Sequence, residues 1–170
     1  MRKNIIVLCS ILMCFALIFA INLNEQRIEG TQGVIDKVKN EIPLTNIEEL
    51  DVHIIGSSVH QDKILIWFLV EGENQVKSYY PFEFEVLGDD EYSFVKSYIP
   101  IKRNQEICSL LWKDGYSFMV DFADCEYINI YDETGKLTQI AVESIPFVYY
   151  HETVPSRYDY IDYNGNIINT

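Results

Sequence analysis

Seven consecutive apolar residues, ILIWFLV at positions 64–70, constrain the fold of this chain more than any other segment. Seven residues are far too few to cross a bilayer, which takes about 20 residues in a helix. In a strand, successive side chains point to opposite faces of the sheet, so both faces of this segment are apolar. The sequence therefore predicts an internal strand whose sheet is covered on both sides.

Other strand-like segments follow at short intervals up to the C-terminus. Polar turns separate the predicted strands at 52–59, 64–71, 81–87, 92–101, 107–112, 116–122, 127–131, 137–142, 147–151 and 158–163. Strands spaced every 8–12 residues, with glycine, asparagine and aspartate between them, are typical of all-β domains. The predicted fold class is mainly β, an antiparallel sandwich or small barrel.

A short amphipathic helix is predicted before the strands, at residues 33–42. Ile35, Val38 and Ile42 recur at helical spacing, and Pro43 limits the segment. A weak capping pattern after the proline favours a second helical turn. One or two short helices are therefore expected to precede the β domain.

The N-terminal apolar run at residues 5–21 predicts membrane targeting, since it carries no charge and follows Arg2 and Lys3. As a helix it covers about 25 Å, the short end for a span. We find no small-residue cleavage pattern, so we expect an uncleaved anchor, with a cleaved signal and secretion as the alternative. The two cations place the N-terminus in the cytoplasm and the rest of the chain outside the cell membrane.

These segments predict three parts: a transmembrane anchor at 1–23, a juxtamembrane linker with the short helix at 24–50, and an exported β domain at 51–170. The whole chain has 13 basic and 26 acidic residues. Without Arg2 and Lys3, 11 bases remain against 26 acids, a net charge of −15. Nucleic acid is excluded as an expected partner, because its binding depends on neutralising phosphates. The use of isoleucine, asparagine, glutamate, lysine and tyrosine resembles that of small exported proteins of low-GC Gram-positive bacteria, in composition alone.

Cys108 and Cys125 lie in the exported part, where a disulfide can persist. In a hairpin centred on Asp114 the two cysteines are not opposite each other. A disulfide therefore requires a bulge or pairing across sheets, and two small core residues are the alternative. A nucleophilic role is not favoured, because none of the histidines stands in a recognisable partner motif.

No metal site or other cofactor is predicted. His53 and His60 are separated by seven positions, so on one regular strand they point to opposite faces. Asp162, Asn164 and Asn166 alternate as in calcium loops, but the glycine and the final acidic ligand are not where such a loop needs them. A hairpin turn is the better interpretation of that segment.

Tyrosine is the remaining candidate for a functional surface. All 12 tyrosines lie beyond the anchor, and the doublets at 79–80 and 149–150 place one ring on each face of a strand. Exposed tyrosine rings suit protein or glycan recognition, although strand propensity alone also explains them. The residues selected as a candidate binding surface are Tyr80, Tyr150, Tyr158 and Tyr160.

No motif in the sequence is specific enough to name an activity. We expect a single-pass protein whose extracytoplasmic β domain binds another protein at the bacterial cell surface. The alternatives are a hydrolase acting on cell-wall material through an acidic cleft, and a structural membrane-proximal domain. Two facing carboxylates in a deep pocket favour the hydrolase, and an exposed tyrosine-rich patch favours binding.

Overall fold

The computed structural model describes residues 27–42, 51–72, 77–102, 104 and 106–168. Within these residues the chain forms one helix and twelve strands. In chain order they are β1 (Arg27–Glu29), α1 (Gly30–Glu41), β2 (Asp51–His60), β3 (Lys63–Glu71), β4 (Lys77–Gly88), β5 (Glu91–Ser97), β6 (Ile101–Lys102), β7 (Ile107–Trp112), β8 (Gly115–Val120), β9 (Cys125–Tyr131), β10 (Leu137–Ala141), β11 (Phe147–His151) and β12 (Arg157–Asp162).

The predicted membrane anchor at 1–23 and the predicted second helical turn lie outside the described residues. Among the residues that are described, no helix has the length and apolar character needed to cross a membrane.

The strands form three sheets, all with antiparallel pairing. Sheet A has the order β1-β5-β4-β3-β2, sheet B the order β11-β8-β7-β6, and sheet C the order β10-β9-β12. The prediction of a mainly β, antiparallel fold with a short helix is therefore confirmed.

Helix α1 covers one face of sheet A. Val34 and Val38 of α1, with Ile42 directly after the helix, pack against Ile66 and Phe68 of β3 as part of a larger apolar cluster. Strand β1, directly before the helix, belongs to sheet A, because it pairs with β5 at the edge of that sheet. Helix α1 and β1 therefore share an apolar cluster with strands of the predicted β domain.

The opposite face of sheet A packs on sheet B. Leu65 and Trp67 of β3 contact a cluster that includes Cys108 and Leu110 of β7 and Met119 of β8. Strand β3 is therefore buried on both faces, as its seven apolar residues predicted.

Sheet B is covered on its other face by sheet C. Phe118 and Val120 of β8 pack with Ile128 and Ile130 of β9 and with Tyr160 of β12. The layers follow in the order helix, sheet A, sheet B, sheet C. The sequence predicted a sandwich or a small barrel. The structure instead stacks three open sheets, because β7 and β8 also bury side chains on both faces.

The edges of sheets A and B approach each other closely at a bulge and a glycine in β2. The register of β2 shifts between Ile54 and Gly56. A Cβ atom at Gly56 would lie 2.5 Å from the Val148 Cγ2 of β11, closer than real Cβ atoms approach a neighbour. Glycine at this position therefore allows β2 to lie directly against β11.

Candidate functional site

Three exposed aliphatic side chains lie near β6, the edge strand of sheet B. Ile101 is 51% exposed, Leu111 is 52% exposed, and Ile99, two residues before β6, is 93% exposed. Ile101 pairs with Ser109, two residues before Leu111 on β7. Ile101 and Leu111 are therefore diagonal neighbours on one face of the sheet. We call Ile99, Ile101 and Leu111 the apolar strip.

Two tyrosines border the apolar strip. Leu111 pairs with Tyr116 of β8, whose ring centroid lies 5.5 Å from that of Tyr158. The Tyr158 hydroxyl lies 2.6 Å from the Oγ of Ser109, the residue that pairs with Ile101. Both rings are half-buried against the cluster between sheets B and C. Aliphatic side chains beside amphipathic tyrosine rings are typical of protein interfaces.

The four tyrosines selected from the sequence do not share one surface. Tyr158 adjoins the apolar strip, but Tyr160 is only 1% exposed and donates a hydrogen bond to the Cys108 carbonyl at 3.3 Å. Tyr80 packs against the cluster under helix α1, and Tyr150 packs against the cluster between sheets A and B. Of these four residues, Tyr158 is the one that lies beside the apolar strip, where β12 of sheet C packs on β7 and the Tyr158 hydroxyl meets Ser109.

Cys108 and Cys125 are buried free thiols in different layers. Cys108 belongs to the cluster between sheets A and B, and Cys125 to the cluster between sheets B and C. Burial raises the pKa of each thiol to about 11. Because the thiolate is the reactive form of cysteine, both residues act here as small core residues.

Glu83 of β4 is a buried carboxylate that the sequence analysis did not select. The residue is 1% exposed and accepts hydrogen bonds from the Lys113 ammonium at 2.5 Å and the Trp112 indole at 3.1 Å. The Tyr98 hydroxyl donates a further hydrogen bond. Burial alone raises the pKa of Glu83, but these donors outweigh burial and hold that pKa below its ordinary value of 4.5.

The Glu83 network joins sheet A to the turn between β7 and β8. A general acid in a glycosidase needs a raised pKa, and Glu83 has a lowered one. Glu83 alternates with Phe82 and Phe84 along β4, so it lies on the opposite face of the strand. Tyr79 lies on the same face of β4 as Glu83, four residues earlier, and is buried between sheets A and B. Its burial shows that this face of β4 is covered as well.

Asp121, directly after β8, is a second carboxylate between the sheets. It accepts hydrogen bonds from the Tyr79 hydroxyl at 2.7 Å and the Lys77 ammonium at 3.3 Å. Burial, together with this carboxylate, raises the pKa of Tyr79. Asp121, which follows β8 of sheet B, thus binds two residues of β4, and Glu83 of β4 binds two residues at the β7–β8 turn. Both carboxylates therefore connect sheets A and B.

The bulge in β2 corrects the predicted orientation of two histidines. His53 pairs with Leu69 and His60 pairs with Lys63, two positions an even number of residues apart on β3. Both histidines therefore lie on the same face, not on opposite faces, because the bulge adds one residue between them. They remain near opposite ends of the strand and share no site.

His53 lies beside two carboxylates at the end of the β2–β3 pair. Its Nε2 atom is 3.0 Å from the Asp51 Oδ2. Glu71 pairs directly with Asp51, and one ligand atom from each of these three residues lies within 4.8 Å of the others. This group was not predicted, because the metal site considered from the sequence required His53 and His60 together, whereas the pairing of β2 with β3 brings Glu71 opposite Asp51.

The segment at Asp162 forms the predicted hairpin turn. The Asp162 Oδ1 accepts hydrogen bonds from the backbone N–H groups of Asn164 and Asn166, at 2.9 and 2.8 Å. The turn at Asp132 has the same arrangement, with hydrogen bonds from backbone N–H groups two and four residues later. These hydrogen bonds hold the pKa of both aspartates below the ordinary value.

No family model, curated protein or solved structure matches this chain.

Proposed function

We propose that this chain is a membrane-anchored, extracytoplasmic β domain that binds another protein at the bacterial cell surface through the apolar strip. The observation that carries the proposal is the exposure of Ile99, Ile101 and Leu111 beside Tyr158. Aliphatic side chains grouped at an open sheet edge favour self-association unless a partner covers them. A protein surface that packs on them provides that cover.

The location in this proposal is supported by the sequence of the N-terminal segment. Its uncharged run at 5–21 fits a short membrane span, and Arg2 and Lys3 favour the cytoplasmic side. The net charge of −15 beyond these two residues disfavours anionic polymers as partners. A partner with a neutral or cationic surface around an apolar centre is the best match.

The proposal is tested by site-specific crosslinking in the native membrane. A photo-crosslinkable amino acid is placed at Ile101, at Leu111, and at the control position Val154. Val154 is 53% exposed, close to the exposure of Leu111, but it lies in the loop between β11 and β12. After illumination, the tagged chain is purified under denaturing conditions and its adducts are separated by mass.

We expect positions 101 and 111 to give the same discrete protein adduct and position 154 to give none of it. A second chain with Leu111→Asp and the crosslinker at 101 should lose that adduct. Equal adducts from all three positions, or no adduct from 101 and 111, would contradict the proposal.

A further inference from the structure

We infer that Asp51, His53 and Glu71 form a binding site for a divalent transition-metal ion, with Zn²⁺ as the best match. The backbone register brings the three residues together. Asp51 lies directly opposite Glu71 on the paired strands, and His53 is two residues along β2, on the same face. The site is on sheet A, so it is independent of the apolar strip on sheet B.

The distances between the ligand atoms suit a metal ion. The three atoms lie within 4.8 Å of one another, and His53 Nε2 is 3.0 Å from Asp51 Oδ2. With bonds of about 2.0–2.2 Å, ligand atoms around a tetrahedral zinc ion are roughly 3.4 Å apart. The 3.0 Å separation of His53 Nε2 and Asp51 Oδ2 and the 4.8 Å upper limit for the group lie on either side of that value.

The donor set selects the class of ion. A neutral imidazole is a good ligand for Zn²⁺, Cu²⁺ and Ni²⁺, whereas Ca²⁺ and Mg²⁺ prefer oxygen ligands alone. Two carboxylates balance the charge of one divalent ion. Three protein ligands also leave a coordination position for water or for a group from a partner.

The charges at this position favour a bound cation. Carboxylates directly opposite each other on paired strands repel. Among the described residues, neither Asp51 nor Glu71 forms an ion pair with lysine or arginine. Lys77 pairs with Glu71 across β3 and β4, but its ammonium group lies 3.3 Å from Asp121. A metal ion would neutralise the two opposed carboxylates, Asp51 and Glu71.

The test is calorimetric titration of the purified full chain with ZnCl₂ alone, and with CoCl₂ followed by visible absorption. Cys9→Ser and Cys14→Ser are introduced throughout, so that these thiols do not bind the metal. The variants are His53→Ala and Asp51→Asn, with His151→Ala as the matched histidine control on β11. His53 has a side chain 54% exposed, so its removal leaves the core intact.

We expect one ion per chain, with affinity at least about tenfold lower in His53→Ala and Asp51→Asn, because the loss of an outer-shell partner alone costs about 10–100-fold and a direct ligand should cost no less. The affinity of His151→Ala should equal that of the parent chain. The inference is overturned if Zn²⁺ and Co²⁺ do not bind, if His53→Ala binds unchanged, or if His151→Ala loses as much affinity as His53→Ala.

Discussion

Replacing Glu83 tests whether a buried charge holds sheets A and B together. The informative substitutions are Glu83→Ala, which removes the acceptor, and Glu83→Gln, which keeps its shape without the charge. Glu85→Gln is the control, because Glu85 lies two residues along the same strand and forms an ion pair with Lys63 at 2.9 Å. Its side chain is 41% exposed, so solvent screens this pair and its loss should cost less than about 1 kcal/mol.

The expected cost of Glu83→Ala is about 3 kcal/mol. The largest part is the Trp112 indole N–H, which is buried and would lose its acceptor, at about 1–3 kcal/mol. The lost methylene adds about 0.8 kcal/mol. The full penalty of a broken buried ion pair does not apply, because the Lys113 side chain is 28% exposed and can turn into water. Glu83→Gln should cost about 1–2 kcal/mol, since neutral hydrogen bonds replace charge-assisted ones.

Urea unfolding followed by tryptophan fluorescence measures these differences, because Trp67 and Trp112 are both buried in the interface concerned. The folded-state pKa of Glu83 is below 4.5, so its ionised form stabilises the fold above pH 4.5. That contribution is lost as the pH falls from 4.5 through the folded-state pKa. The stability difference between the native chain and Glu83→Gln should therefore be largest at pH 7 and smaller at pH 3.

Two results would refute this reasoning about Glu83. The first is a cost for Glu83→Ala no greater than that of Glu85→Gln. The second is a difference in unfolding free energy between the native chain and Glu83→Gln that stays constant from pH 7 to pH 3. Such a constant difference would mean that it does not come from the charge of Glu83.

Three further predictions concern other parts of the chain. Gly115→Ala should destabilise the fold by at least about 2 kcal/mol in urea unfolding, because the new Cβ would lie 2.0 Å from the His151 carbonyl oxygen. The control Gly88→Ala, whose Cβ would have its nearest contact at 3.4 Å, should change stability by less than about 1 kcal/mol. Equal effects of the two substitutions would contradict the close approach of β8 and β11. The thiols of Cys108 and Cys125 are tested in a chain with Cys9→Ser and Cys14→Ser. At pH 8 they should react with a thiol reagent at least about 100-fold more slowly in the native than in the unfolded state, because both are buried and a pKa of about 11 leaves few thiolates. Rapid reaction in the native state would show that they are accessible. Alkaline phosphatase fused after Thr170 should be active, and an inactive fusion with a working cytoplasmic reporter at the same place would reverse the proposed topology.

The hairpins of this protein are predictable because their determinants are local. A continuous apolar run defines β3, and turn residues between apolar segments define the turn at Asp162 and the pairing of β7 with β8. The predicted β7–β8 hairpin was centred on Asp114, and the observed turn occupies residues 113–114, a difference within one residue. The amphipathic helix was predicted in the same way, from Ile35, Val38 and Ile42. Val38 and Ile42 are buried, whereas Val34 takes the third buried position and Ile35 is only partly buried.

The stacking of the sheets was not predictable, because it depends on contacts between residues far apart in sequence. Leu111 lies in an apolar strand like its neighbours, yet it is exposed because sheet C does not cover that edge. Glu83 lies in an alternating strand, yet it is buried because the turn with Lys113 supplies its partner. The bulge at Gly56 likewise depends on β11, which follows about 90 residues later.

The order of the layers follows the order of the chain, with one exception. Sheet A uses strands β1–β5, sheet B begins with β6–β8, and sheet C takes β9, β10 and β12, so each new hairpin finds an apolar surface already made by earlier residues. Strand β11 departs from this order, since it returns to sheet B after the β9–β10 hairpin has formed. During synthesis, β8 therefore keeps one open edge until His151 has emerged. A nascent chain halted before residue 147 would present that edge to other chains, and the pairing of β11 with β8 removes it.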